Sequence, residues 1–255
     1  GLNKSDHQDN ESTDRLQITL PYDQEDVILA LAEVAKNLVV VNISGSPVAM
    51  PWADSADAIV QGWYGGTESG NALADVLTGK VNPSGRLPFS VPFKYEDGPI
   101  KTEAQYPGIK TEDDEFWQTH YSEGVYVGYR WYSTQEIPVQ FPFGHGLSYT
   151  TFEYSNAKAA KPSMTAAGTL KVSVDVENTG SVDGAEVVQL YIADPEASVD
   201  RPAKELKGFE KVFLKAGEKK TVTFEIAAED LSYFDAEKHE WVAEPGEFQA
   251  LLGSS

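Results

Sequence analysis

From Gln24 to Lys36 the apolar residues Val27, Ile28, Leu31, Val34 and Ala35 recur at the spacing that places them on one face of a 3.6-residue helix. Asp23 stands where an N-cap belongs, and Glu25 and Asp26 suit the positive end of the helix macrodipole. The period then changes. "NLVVVNIS" (37–44) is a continuous apolar run of strand length, the pattern of a parallel strand buried on both faces, and it ends in the turn "GSP". "DAIVQGWY" (57–64) predicts a second short strand. "GGTESGNALADVLTG" (65–79) predicts a helix with Leu73, Val76 and Leu77 inward and Gly79 as its terminator. Helix, strand, strand, helix in this order predicts an α/β layer with crossover connections.

Between Asn82 and Thr151 the periodicity fades, apart from "GVYVGYRWY" (124–132), which alternates like a strand. Trp117, Tyr126, Tyr129, Trp131, Tyr132, Phe141 and Phe143 fall in this stretch, so it is a packed aromatic connector and not a disordered linker. From about Lys158 the pattern changes again. "LKVSVDVEN", "AEVVQLYIAD", "KELKGFEKVFL", "KKTVTFEIAA" and "GEFQALLG" are strand-length segments separated by turn chemistries such as "TGSVDG", "KAGE" and "AEPG". Leu170, Val172, Val174 and Val176 alternate strictly with polar residues, as do Val222, Phe224 and Ile226. Each strand therefore has one buried and one wet face, which predicts an antiparallel β-sandwich of the fibronectin type III kind. The expected division is 1–155 for the α/β domain with its connector and 156–255 for the sandwich. The sandwich strands show no cluster of exposed aromatics that would mark a sugar platform, so a buttressing role is expected.

Composition narrows the partners. The 255 residues are 41% apolar and 11% aromatic, enough for real cores. No apolar run approaches the roughly 20 residues that cross a bilayer. Forty acidic against twenty basic residues give a formal charge of −20, which repels nucleic-acid phosphates and anionic membrane surfaces and favours a neutral substrate. The absence of cysteine excludes disulfides and thiolate metal sites but leaves the compartment open.

The candidate chemistry concentrates near the amino end. "SDHQDNESTDR" (5–15) brings Asp6, Asp9 and Glu11 within six residues, with His7 among them and Asp14-Arg15 closing the run. An active-site loop, a metal loop and a solvated acidic turn all fit this composition. His7 has no second histidine or cysteine at metal spacing, which argues against zinc. "TEDDEF" (111–116) lacks the alternating oxygen ligands and central glycine of a calcium loop, so an exposed turn is the plainer reading. "GGTESG" lacks the lysine and hydroxyl of a P-loop and is better explained by helix capping. Trp63 and Tyr64 could stack on a sugar ring, but core packing at a strand end is the simpler account.

The blocks "NLVVVNISGSPVAMPW", "AIVQGWYGGTESGNALADVLTGKVNPSGRLPFSVP", "EGVYVGYRWY", "FPFGHGLSYTTFEYS" and "RPAKELKGFEKVFLKAGEKKTV" together resemble the carboxyl-terminal half of glycoside hydrolase family 3, the β-glucosidase group. The resemblance implies an α/β sandwich portion, a mostly parallel sheet with flanking helices, followed by an antiparallel fibronectin type III-like β-sandwich. It also implies an amino-terminal barrel domain, on the same precursor or a companion chain, that holds the nucleophilic aspartate. By the family's pattern of glutamate, glycine, any residue, aspartate and arginine, Glu11 with Asp14 and Arg15 matches the general acid/base segment. Ser12 stands where glycine is common, and the longer loop after Asn3 leaves Asp9 as the alternative acid/base. On this reading Asp14-Arg15 is an ion pair bracing the loop, Asp6 and Asp9 are solvated, and Glu11 alone faces substrate. His145, in "FPFGHGLS", is expected to satisfy a hydrogen bond in a tight turn.

The implied function is retaining, exo-acting hydrolysis of terminal non-reducing β-D-glucosyl residues in a β-linked oligosaccharide or glycoside. Water is the second substrate, no cofactor or metal is implied, and neither nucleic acid nor membrane is a partner. The alternatives are a non-catalytic scaffold or sugar-binding piece, and a β-xylosidase or glucan hydrolase of the same family.

Overall fold

The computed structural model describes residues 1–11, 13–113 and 115–254. Ser12, the departure from the family's glycine, and Asp114, within "TEDDEF", therefore lie outside the described residues. By its internal contacts the chain divides into two compact units. One is Gly1–Val81 with Phe89–Glu123 and Ile137–Pro142, and the other is Asn82–Pro88 with Gly124–Glu136 and Phe143–Ser255.

In the first unit, helix α1 (Gln24–Val34) precedes strand β1 (Val39–Asn42), and strand β2 (Ala58–Gln61) precedes helix α2 (Ser69–Leu77). The two strands pair in parallel, Val39 opposite Ala58 and Asn42 opposite Gln61. Leu2, Leu20, Val48, Met50 and Trp52 form the buried core beneath them, with Ile28, Val40, Ile59 and Phe141 packed against it. The connector contributes directly to this core. The Gln140 side chain accepts from Met50 N at 2.9 Å and donates to Met50 O at 2.5 Å, closing both backbone groups of a buried residue.

Several expectations need correction in this unit. β1 is not buried on both faces: Val39 is 49% exposed, and only Asn42 at the far end is buried. Its only partner among the described residues is β2. α1 stops at Val34 because Ala35 turns extended at ψ 136. Asp23 does not cap it through its side chain, since its backbone is left-handed at φ 55 and that carboxylate makes no cap bond. Only Ile28 of the apolar face reaches the core, and Val27, Leu31 and Val34 stay exposed. On α2, Leu73 and Val76 are half-buried but Leu77 points outward.

The second unit is built on two three-stranded antiparallel sheets. Its strands are β3 (Phe152–Ala159), β4 (Thr169–Asn178), β5 (Gly184–Ala193), β6 (Glu205–Leu214), β7 (Lys219–Ala227) and β10 (Gln249–Gly253), and a small hairpin of β8 (Tyr233–Asp235) and β9 (Glu240–Val242) lies between the last two. The sheet orders are β3-β4-β7 and β10-β5-β6. The alternation predicted for β4 holds: Val172, Val174 and Val176 are buried, opposite Phe224, Val222 and Lys220 of β7. They meet Val188, Leu190, Val212 and Leu214 of the other sheet in the sandwich core. β3 was not foreseen as a strand, and a bulge between Ser155 and Lys158, with Asn156 at φ 55, interrupts its period.

"GVYVGYRWY" is not a strand. Gly124 and Gly128 sit at φ 59 and φ 57, conformations that break extended alternation, and Tyr129–Thr134 form a short helix, α3. The Tyr129 ring stacks on Phe143 at 4.7 Å and meets Tyr191 edge-on at 5.9 Å, while its hydroxyl oxygen accepts from Leu206 N at 2.8 Å. Phe209 and Phe213 on β6, and Phe234 and Trp241 on the β8–β9 hairpin, are all largely exposed.

Candidate active site

The amino-terminal loop runs beside the segment that leaves β1 and is fastened to it in order. Leu2 N donates to Ile43 O at 2.7 Å, Asp9 takes the Gly45 and Ser46 donors, Arg15 Nη2 donates to Pro47 O at 2.6 Å, and Ala49 N donates to Ile18 O at 2.9 Å. Leu2 supplies the apolar anchor, being buried in the core. Gln8 is buried as well. Its carbonyl accepts from Asn3 N at 3.0 Å and its amide donates to Tyr22 at 3.0 Å. The loop is therefore tied at the carboxyl ends of the parallel strands, the edge where open α/β sheets place their ligand crevices.

Asp9 is not solvated. Its Oδ2 accepts from Gly45 N at 2.6 Å and from the Tyr64 hydroxyl at 2.9 Å, and its Oδ1 accepts from the Ser46 hydroxyl. Partial burial pushes this carboxyl up, but the Ser46, Gly45 and Tyr64 donors and the Arg15 charge outweigh it and hold it below the ordinary aspartate value. The same arrangement pushes Tyr64 up to about 12, by burial and by the Asp9 bond and charge. Gly45 lets the Tyr64 ring sit close, since a Cβ there would stand 3.1 Å from that ring and require it to shift.

Asp14 and Arg15 do not pair. Asp14 accepts instead from the Tyr106 hydroxyl, and Arg15 turns the other way to the Pro47 carbonyl, with its Nη1 buried and unpartnered among the described residues. The bond from Asp14 and a burial effect push Tyr106 up to about 12. Tyr106 also lines a cavity of about 290 Å³ together with Tyr95, Glu96, Ile100, Lys101 and Thr102. His7 places its Nδ1 3.1 Å from Asp14 O. No group of three or more His, Asp or Glu among the described residues is placed to hold a metal.

Glu11 lies on the short arch between these two attachments. Its side chain is exposed and makes no hydrogen bond or ion pair with a described residue. The arch is braced from within: Asn10 Nδ2 donates to Thr13 Oγ1 at 3.0 Å and to Asp6 Oδ1 at 3.2 Å. Of the two carboxylates weighed for the acid/base role, one is thus committed to three donors and the other is open to an incoming group.

The remaining candidates have structural duties. Trp63, at φ 54, packs edge-on against Phe89 at 5.4 Å. "GGTESG" forms a 3₁₀ turn, Gly66–Glu68, leading into α2, where Asn71 donates to Glu68 at 2.6 Å. His145 accepts through its carbonyl from Leu87 N at 2.9 Å, and burial, then the nearby Arg86 charge, lower its ring pKa. The roles of Asp9, Gly45, Tyr64 and Tyr106 were not foreseen, because their partners are distant in sequence. The one available signal was the "GSP" turn directly after the strand 37–44.

The chain matches two family descriptions in sequence order: glycosyl hydrolase family 3 C-terminal domain over residues 2–149, and fibronectin type III-like domain over residues 186–255. It is 50% identical to beta-glucosidase BoGH3A of Bacteroides ovatus, across 100% of this chain and 34% of that protein. It is 46% identical to thermostable beta-glucosidase B of Acetivibrio thermocellus, across 98% of this chain and 32% of that one. Among solved structures it resembles DesR, a beta-glucosidase from Streptomyces venezuelae in complex with D-glucose, with TM-score 0.88, 39% identity and coverage of 96% of this chain and 31% of that one. The chain spans about a third of the length of the curated relatives it matches.

Proposed function

The chain belongs to glycoside hydrolase family 3, carrying its C-terminal domain and a fibronectin type III-like domain, and on that premise we propose that it serves a retaining, exo-acting β-glucosidase with Glu11 as general acid/base. The observation that carries the choice of residue is the contrast between Asp9 and Glu11. A general acid must hold its proton until the glycosidic oxygen departs. Asp9 is held ionised by three donors and an arginine. Glu11, two residues on, presents an uncommitted carboxyl group from an anchored arch.

In the retaining mechanism two carboxyl groups lie about 5 Å apart across the scissile bond. A nucleophilic carboxylate, supplied by an amino-terminal domain of the same enzyme, attacks the anomeric carbon while Glu11 protonates the leaving oxygen. Glu11, now a carboxylate, then takes a proton from water as that water attacks the glycosyl-enzyme. A terminal β-D-glucosyl residue is the substrate group, in line with relatives named beta-glucosidases and with the glucose bound to a similar enzyme. The exposed Val27, Leu31 and Val34 of α1 support a further reading: the parallel pair is part of a larger, mostly parallel sheet with flanking helices that covers them.

The test is Glu11→Ala in the full-length enzyme. Its kcat/KM for phenyl β-glucoside, whose leaving group needs protonation, is expected to fall by roughly 100- to 10,000-fold. With 2,4-dinitrophenyl β-glucoside, which needs no acid to depart, kcat/KM should stay near the wild-type value. Equal losses on both substrates would defeat the assignment.

A further inference from the structure

We infer that Asp9 is a positioning residue for the reaction, a carboxylate staple that fixes the approach of the arch bearing Glu11; this rests on Glu11 being the acid/base. Three donors from two separate stretches converge on this one side chain: Gly45 N at 2.6 Å, the Ser46 hydroxyl, and the Tyr64 hydroxyl at 2.9 Å. The first two leave the end of β1, and the third follows β2. Asp9 therefore ties the loop to both parallel strands at once. Its own backbone is held too, with Asp9 N donating to Asn3 O at 3.1 Å.

Only Asn10 separates Asp9 from Glu11, a reach of about 7 Å at most, so a shift of the staple passes almost undiminished to the catalytic carboxyl. The opposite leg of the arch is fixed independently, by Asp14 to Tyr106 and by Arg15 to Pro47. Removing Asp9 frees one leg only. The core anchors Leu2 and Leu20 remain, and so does the Ala49–Ile18 bond, so the unit keeps its fold while the arch loses its aim. A misplacement of about 1 Å in a reacting group can cost on the order of 100-fold in rate. The loss should fall on proton delivery and leave sugar binding alone.

The experiment compares Asp9→Ala and Tyr64→Phe with Glu11→Ala in the full-length enzyme, using phenyl and 2,4-dinitrophenyl β-glucosides and glucose as a competitive inhibitor. For Asp9→Ala, kcat/KM on the phenyl glucoside is expected to fall about 10- to 100-fold. On the dinitrophenyl glucoside it should change by less than about threefold, and the glucose inhibition constant should hold within about threefold. Tyr64→Phe, which removes one donor and keeps the ring, should move the same ratio in the same direction by a few-fold, and it carries the test if Asp9→Ala does not fold. Wild-type ratios in both variants, or equal losses on both substrates, would overturn the inference while leaving Glu11 in place, provided Glu11→Ala keeps its leaving-group dependence. If azide rescues Asp9→Ala and not Glu11→Ala, Asp9 is itself the acid/base and both readings fall.

Discussion

Tyr64 reaches across 55 residues to donate its hydroxyl to Asp9 Oδ2 at 2.9 Å. The pair couples the loop before α1 to the turn after β2, and its two ionisable groups are shifted in opposite directions, Asp9 down and Tyr64 up to about 12.

The signs set a pH window for this link. Asp9 has a depressed value when folded, so its stabilisation is present above the ordinary aspartate value of 3.8 and is lost as pH falls through the folded value. Tyr64 has a raised value, so its contribution is present below 10.0 and is lost as pH rises through about 12. Melting curves of the wild type and Asp9→Asn should therefore differ near neutrality and converge in acid, below 3.8. An undiminished difference in acid would contradict the account of the staple.

Arg201 is the buried hub of the second unit. It pairs with Asp194 at 3.1 Å and Glu205 at 2.7 Å, and also donates to Leu231 O at 2.8 Å. Arg201→Ala strips the buried Asp194 of its ion pair and leaves Glu205 only Arg130 at 3.2 Å and Lys207 at 3.8 Å, and should cost about 3–5 kcal/mol in denaturant unfolding. The Lys171–Glu225 pair, both partners more than half exposed, is the internal control. Lys171→Ala should change stability by less than about 1 kcal/mol.

Truncation after Ser155 should abolish soluble expression or lower the melting temperature sharply. It strips partners from residues upstream within the same unit: Glu186 from Arg86, which it meets at 2.7 Å, Asp183 O from Asn82, and Tyr191 from the Tyr129 ring. Arg86 would suffer most, because the pair is almost wholly buried. Unchanged melting of the truncated protein would show that these contacts carry no stability.

The sandwich was the most legible part of the chain, because period-2 alternation depends only on which face is buried. Val172, Val174, Val176 and Val222 are interior, as their spacing required. "GVYVGYRWY" misled for the same reason, since its alternation is real but Gly124 and Gly128 take positive φ and turn the chain into α3. In the first unit, the helices and the parallel pair could be read, whereas the exposure of Val34 and Val39 could not, because an apolar pattern does not say what covers it. At the candidate site the acidic loop stood out by composition. The sorting of its carboxylates did not, because it depends on Gly45, Ser46, Tyr64 and Tyr106, which reach the loop only through the fold.

The most direct test of the proposed role of Glu11 is the product formed by full-length Glu11→Ala with 2,4-dinitrophenyl β-glucoside and sodium azide. With the base removed, azide should take the place of activated water, raise kcat by about tenfold or more, and yield β-glucosyl azide with retained configuration. Glucose as sole product, at a rate indifferent to azide, would contradict it.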